Sequence, residues 1–153
     1  CPDTYFEIDL IQDHKLMQYN FNYDILATGI LPLEEYETEN ASGLKTTNKI
    51  PVSGGGLIGL CSFDITGFIV YQLDGKFIPG TGSVPDLKIS GRYLTSLETQ
   101  PSCGDLVVLP LDEPVDFLIP YRDGEVMELD WEYRSAGISG RSTWVLHIPC
   151  IPD

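Results

Sequence analysis

Over residues 115–133 the chain spells out a β-hairpin. Val115, Phe117, Ile119 and Tyr121 alternate with other residues on the way in, and Asp123-Gly124 supplies a tight turn. Met127, Leu129, Trp131 and Tyr133 then alternate with Glu128, Asp130 and Glu132 on the way out. Successive side chains of a strand point to opposite faces, so one face of this unit is apolar and the other acidic. Asp-Gly suits the turn because tight hairpin turns need positive φ, which these residues tolerate.

The same grammar recurs along the chain. Phe6, Ile8 and Leu10 open an N-terminal alternation, and Met17, Tyr19, Phe21, Tyr23 and Ile25 carry a second one over residues 15–26. Residues 31–36 read as a short strand and 34–49 as the longest loop. Residues 57–65 and 67–73 are more continuously apolar, as strands buried on both faces are. Asp74-Gly75 reads as a turn into 76–78, and residues 87–94, 105–111 and 143–150 complete about nine or ten strands. Pro79-Gly80, Pro101, Pro110, Pro114 and residues 137–140 punctuate them. No composition break marks a second domain. The expected architecture is one all-β domain over residues 1–153, an antiparallel β-sandwich or jelly-roll-like fold.

The charge narrows the partners. Against 23 acidic residues stand 9 basic ones, for a net charge of -14. Phosphate backbones attract proteins through Lys and Arg, so nucleic acid and anionic membrane surfaces are poor partners. Cations, neutral glycans or a second copy of the chain fit better. No apolar run approaches the roughly 20 residues of a membrane span.

Cys1, Cys61, Cys103 and Cys150 contain no CxxC pair, and only His14 and His147 could join them as ligands, which argues against zinc. An even count at wide spacing fits two disulfides, expected as Cys1–Cys150 and Cys61–Cys103, and hence an extracellular or cell-surface location. A chain opening on Cys rather than Met is expected of a processed form, and an N-terminal Cys is also the residue lipidated in bacterial lipoproteins. Asn40-Ala41-Ser42 matches the N-glycosylation sequon.

Gly54, Gly56 and Gly59 satisfy GxGxxG, but the residues that follow lack helical periodicity, so residues 53–56 read as a turn or a bulged strand start. His14 reads as a turn residue and His147 as outward-facing. Glu128-Leu129-Asp130-Trp131-Glu132 places three carboxylates on one strand face, where they can perturb each other's ionisation. The string resembles the ExDxE signature of the laminarinase and lichenase-like glycoside hydrolases, a β-sandwich family. That resemblance implies Glu128 as nucleophile and Glu132 as acid/base. Read without it, the carboxylates Glu128, Asp130 and Glu132, with Trp131 beside them, are the candidate face for a glycan or a cation. Calcium is the ion that scattered Asp oxygens and loop carbonyls would hold, with no other cofactor and no metal ligand set. Tyr133, Tyr19 and Tyr23 join Trp131 as candidate sugar-stacking rings, with core packing as their competing role.

The leading expectation is a non-enzymatic structural or adhesive protein that self-associates into an oligomer or filament. Phe6, Ile8, Leu10, Met17, Tyr19, Phe21 and Tyr23 would be the knobs of a strand added to a neighbour's edge. A carbohydrate-binding, lectin-like module is the alternative, and a small glycoside hydrolase the third.

Overall fold

Strand follows strand because apolar side chains recur at every second position and turn formers interrupt them. The computed structural model describes residues 4–16, 20–80, 82–100, 112–133 and 137–149, and among these it forms nine strands and no helix. They are β1 (Tyr5–Leu16), β2 (Phe21–Pro32), β3 (Glu34–Glu37), β4 (Ser42–Ile58), β5 (Cys61–Ile78), β6 (Asp86–Gln100), β7 (Asp112–Pro120), β8 (Glu125–Tyr133) and β9 (Ile138–His147). All belong to one antiparallel sheet with the path β7-β6-β5-β4-β2-β1-β9-β8, and β3 pairs with β4. The all-β antiparallel class is as expected, with the two layers supplied by opposite walls of a single sheet.

The connectivity dictates the curl. The first and last strands pair, with Phe6 opposite Leu146 and Ile8 opposite Trp144. The two ends of the path, β7 and β8, are joined only by residues 121–124. A link this short brings the sheet's edges together and rolls it nearly into an up-and-down barrel. Gly67 and Gly91 occupy inward positions of β5 and β6 with φ of 151° and 148°. A Cβ there would lie 2.0 Å from the carbonyl oxygens of Ser96 and Gln72 respectively, so only glycine lets these long strands bend.

The expected hairpin over 115–133 is corrected on one point. Both strands and the Asp123-Gly124 turn form, but the strands do not bond to each other. β7 is bonded to β6 from Leu94↔Asp112 to Asp86↔Pro120, and β8 to β9 from Glu125↔Leu146 to Tyr133↔Ile138. The link is held from both sides: Tyr121 N donates to Pro85 O, Gly124 N to Leu146 O, and Ile148 N to Asp123 Oδ1. Each strand follows its own neighbour away from the turn, leaving a seam between them.

Other boundaries also differ from expectation. The polar loop expected over 34–49 is β3 and the first half of β4, because Leu44, Thr46, Ile50 and Val52 turn inward and a strand needs only one apolar side. Asp74-Gly75 lies inside β5 rather than in a turn, and residues 53–56 inside β4, where they pair with both β2 and β5. β2 and β3 share one register against β4, interrupted after Ala27↔Val52 and resumed at Glu34↔Lys45. Pro51, with no N–H to give, stands at the first unpaired position. The strand expected over 105–111 lies outside the described residues.

The interior is filled rather than hollow, as suits a roll of about eight strands. Trp144, 1% exposed, meets Phe6, Tyr71 and Phe117 edge-on at 5.5, 5.4 and 5.3 Å between centroids, the geometry that ring quadrupoles favour. Its indole N–H donates to Ser142 Oγ at 3.0 Å, which satisfies both buried groups. His14 is a core residue of β1, not a turn residue, with the rings of Phe21 and Tyr23 edge-on at 5.1 and 5.0 Å.

The expected assembly knobs face the interior of their own sheet. Phe6, Ile8, Leu10, Phe21 and Tyr23 are buried in their own barrel, and β1 is bonded on both sides, to β2 and β9. Their inward side chains and both edges of β1 are used within the chain. Met17 and Tyr19 lie outside the described residues.

Candidate functional site

β8 is half-buried at every inward position, Glu125, Met127, Leu129, Trp131 and Tyr133, while β7 and β9 bury most of theirs fully. The reason is the seam: among the described residues β8 has a bonded neighbour on one side only. Where the strands diverge a cavity of about 190 Å³ opens. Leu10, Val115 and Leu129 supply apolar wall, Tyr71, Tyr93, Trp131 and Trp144 aromatic wall, and Glu113, Tyr133 and Ser142 polar groups.

Two polar atoms inside have no hydrogen-bond partner among the described residues: the Tyr71 hydroxyl and the Trp131 indole nitrogen, both buried. An indole N–H can only donate, and leaving a buried donor unmade costs about 1–3 kcal/mol. The position of the indole is set by Gly140, its partner across β9. A Cβ on Gly140 would sit 2.2 Å from Trp131 Cζ2 and 2.7 Å from Nε1, so the ring lies flat against bare backbone. Tyr93 lies between Trp131 and Tyr71, at 6.5 and 5.7 Å between ring centroids.

The electrostatics keep every hydroxyl protonated. Burial pushes the Tyr71 and Tyr93 phenols far above their ordinary value, helped at Tyr93 by the charge of Glu113. Burial and a hydrogen bond to Glu113 push Tyr133 up to about 12. Glu113 itself is an inward carboxylate of β7, in phase with Val115, Phe117 and Ile119. The Tyr133–Glu113 contact bridges the seam where the backbones do not.

Of the face expected from sequence, Trp131 belongs to this cavity. Asp130 stands at its rim, where it accepts from Arg141 Nε at 2.9 Å. Glu128 and Glu132 are exposed on the outer face and do not line this cavity. Tyr133 lines the seam, whereas Tyr23, 1% exposed, is core. His147 is partly exposed, stacks on Tyr5 and lies 3.1 Å from Glu7. Asn40 is exposed in the turn between β3 and β4, where Thr38 and Ala41 bond to each other. Cys61 carries a disulfide; Cys1, Cys103 and Cys150 lie outside the described residues, and with them both expected pairings. No cluster of metal ligands forms among the described residues.

A larger hollow of about 650 Å³ lies outside, where β2 and β4 part. Its walls are Ile11, Leu26, Pro51 and other largely apolar groups, and Asp9 on its rim already accepts from Thr28. It is broad, and none of its lining residues has a buried side-chain polar atom left unmet, so its side chains offer little to orient a ligand. Tyr71, Tyr93, Glu113 and Gly140 were not singled out by sequence. Glu113 had a readable signal, as a carboxylate in phase with an apolar strand face.

The fold and the seam define a class: an antiparallel up-and-down roll with a filled interior and one aromatic-walled cavity between its unpaired edges. No protein-family model matches the chain, no curated protein matches it, and no solved structure matches it.

Proposed function

We propose that this is a non-enzymatic extracellular binding protein of the carbohydrate-binding, lectin-like kind, with the β7–β8 seam as its site. The observation that carries the reading is the buried, unpartnered Trp131 N–H and Tyr71 hydroxyl in an aromatic-walled cavity. Small-molecule sites combine such walls with a few fixed polar groups, and a hydroxylated ring can offer each of these atoms a partner. The disulfide at Cys61 supports an oxidising compartment. Catalysis by Glu128 and Glu132 draws no support from the cavity, which neither residue lines. Self-association through an inserted N-terminal strand loses its knobs to the core.

The test is a glycan panel screened against the full chain. Binding to at least one glycan should disappear in Trp131→Ala, with far-ultraviolet circular dichroism unchanged, and persist in Glu128→Gln. Binding that survives Trp131→Ala would remove the seam from the account.

A further inference from the structure

The seam cavity carries more chemistry than a neutral ring needs. Its inner end holds donors: the Trp131 N–H, which can only donate, and the Tyr71 hydroxyl. The indole asks for an oxygen acceptor on the ligand, and the hydroxyl, which can donate or accept, can serve the same oxygen. Its outer end holds negative charge and π-faces. Glu113 points inward from β7, held by the Tyr133 hydroxyl, with no Lys or Arg paired to it among the described residues. The nearby cations are already engaged, Lys88 with Asp116, Arg92 with Asp112 and Arg141 with Asp130. Tyr93 and Trp131 stand beside it, and the faces of such rings attract cations. A chain of net charge -14 draws cations to its surface and repels anions.

Size sets the spacing of the two ends. A hollow of about 190 Å³ is small, which favours acceptor and cation close together on one small ligand. We infer that the seam selects a ligand bearing an ammonium next to a hydroxylated carbon, the N–C–C–O unit shared by amino sugars and choline-type headgroups. The hydroxyl oxygen goes inward to Trp131 and Tyr71, and the ammonium outward to Glu113 and the ring faces. This rests on the seam being the binding site.

The experiment titrates the full-length, isotopically labelled protein with four probes and follows the indole N–H resonances of Trp131 and Trp144. The probes are glucosamine with glucose as its neutral counterpart, and choline with the uncharged isostere 3,3-dimethylbutan-1-ol. At least one cationic probe should move the Trp131 resonance and bind about tenfold or more tighter than its counterpart. Glu113→Gln should erase that preference while leaving the neutral probe's affinity in place. Preference for glucosamine points to a glycan source and preference for choline to a headgroup. Equal binding of cationic and neutral probes overturns the inference and leaves the seam as a binding site. If no probe moves Trp131, both readings fall.

Discussion

At the scale of single residues the site depends on what is missing opposite Trp131. Gly140 has no side chain, and the indole occupies that space. Gly140→Ala should push the ring out of the cavity and lower probe affinity about tenfold or more, at a stability cost of about 1–3 kcal/mol for overpacking. Titration of the variant beside a denaturant melt separates the two effects, and unchanged affinity would mean the indole is not the recognition element. Which way Trp131 faces was legible from alternation, and so was the inward phase of Leu129 and Tyr133. Gly140 was not, because the importance of a glycine lies in the ring across from it, and register is set by pairing rather than by either strand alone. His14 was misplaced for a related reason. A polar residue beside Asp13 looks like a turn, yet strand phase carries it into the core between two aromatic rings.

At the scale of elements, burial phase was readable almost everywhere and partnership was not. Phe6, Ile8, Leu10, Phe21 and Tyr23 were placed on one face, correctly, but that face packs into their own barrel. Alternation is the same whether the apolar side meets its own chain or a neighbour's. The β1–β2 pair also sets two acids side by side, with Asp13 directly opposite Asp24. A hydrogen bond from one carboxyl to the other, then burial and the Asp24 charge, hold Asp13 above its ordinary 3.8. The sign follows: a carboxyl whose folded pKa is raised stabilises the fold below its unfolded value, and loses that contribution as pH rises through the raised value. At neutral pH the pair therefore costs stability. Asp13→Asn should stabilise the protein at pH 7 by about 0.2–1 kcal/mol, the range for cross-strand charge pairs, and give no gain near pH 3. Urea melts at the two pH values check it, and a loss of stability at pH 7 would contradict the pairing.

At the scale of the whole molecule, the sheet packs aromatic rings inside and carries acids together with exposed apolar side chains such as Ile11, Leu26 and Ile30 outside. No helix among the described residues is long and apolar enough to cross a membrane. The closure was hidden from sequence because residues 112–133 look like an ordinary hairpin, and only the ladders of β6–β7 and β8–β9 show that its arms part. From that parting come the half-buried strand β8, the cavity and the unmet polar atoms. Backbone amides that face the seam have no ladder partner among the described residues, whereas those of β1 are bonded on both sides. The most direct measurement is residue-resolved amide hydrogen exchange on the unliganded protein. The account predicts that amides of β7 and β8 pointing into the seam exchange about a hundredfold or more faster than those of β1. Equal protection across β7, β8 and β1 would mean that a ladder closes the barrel and that there is no open seam for a ligand to enter.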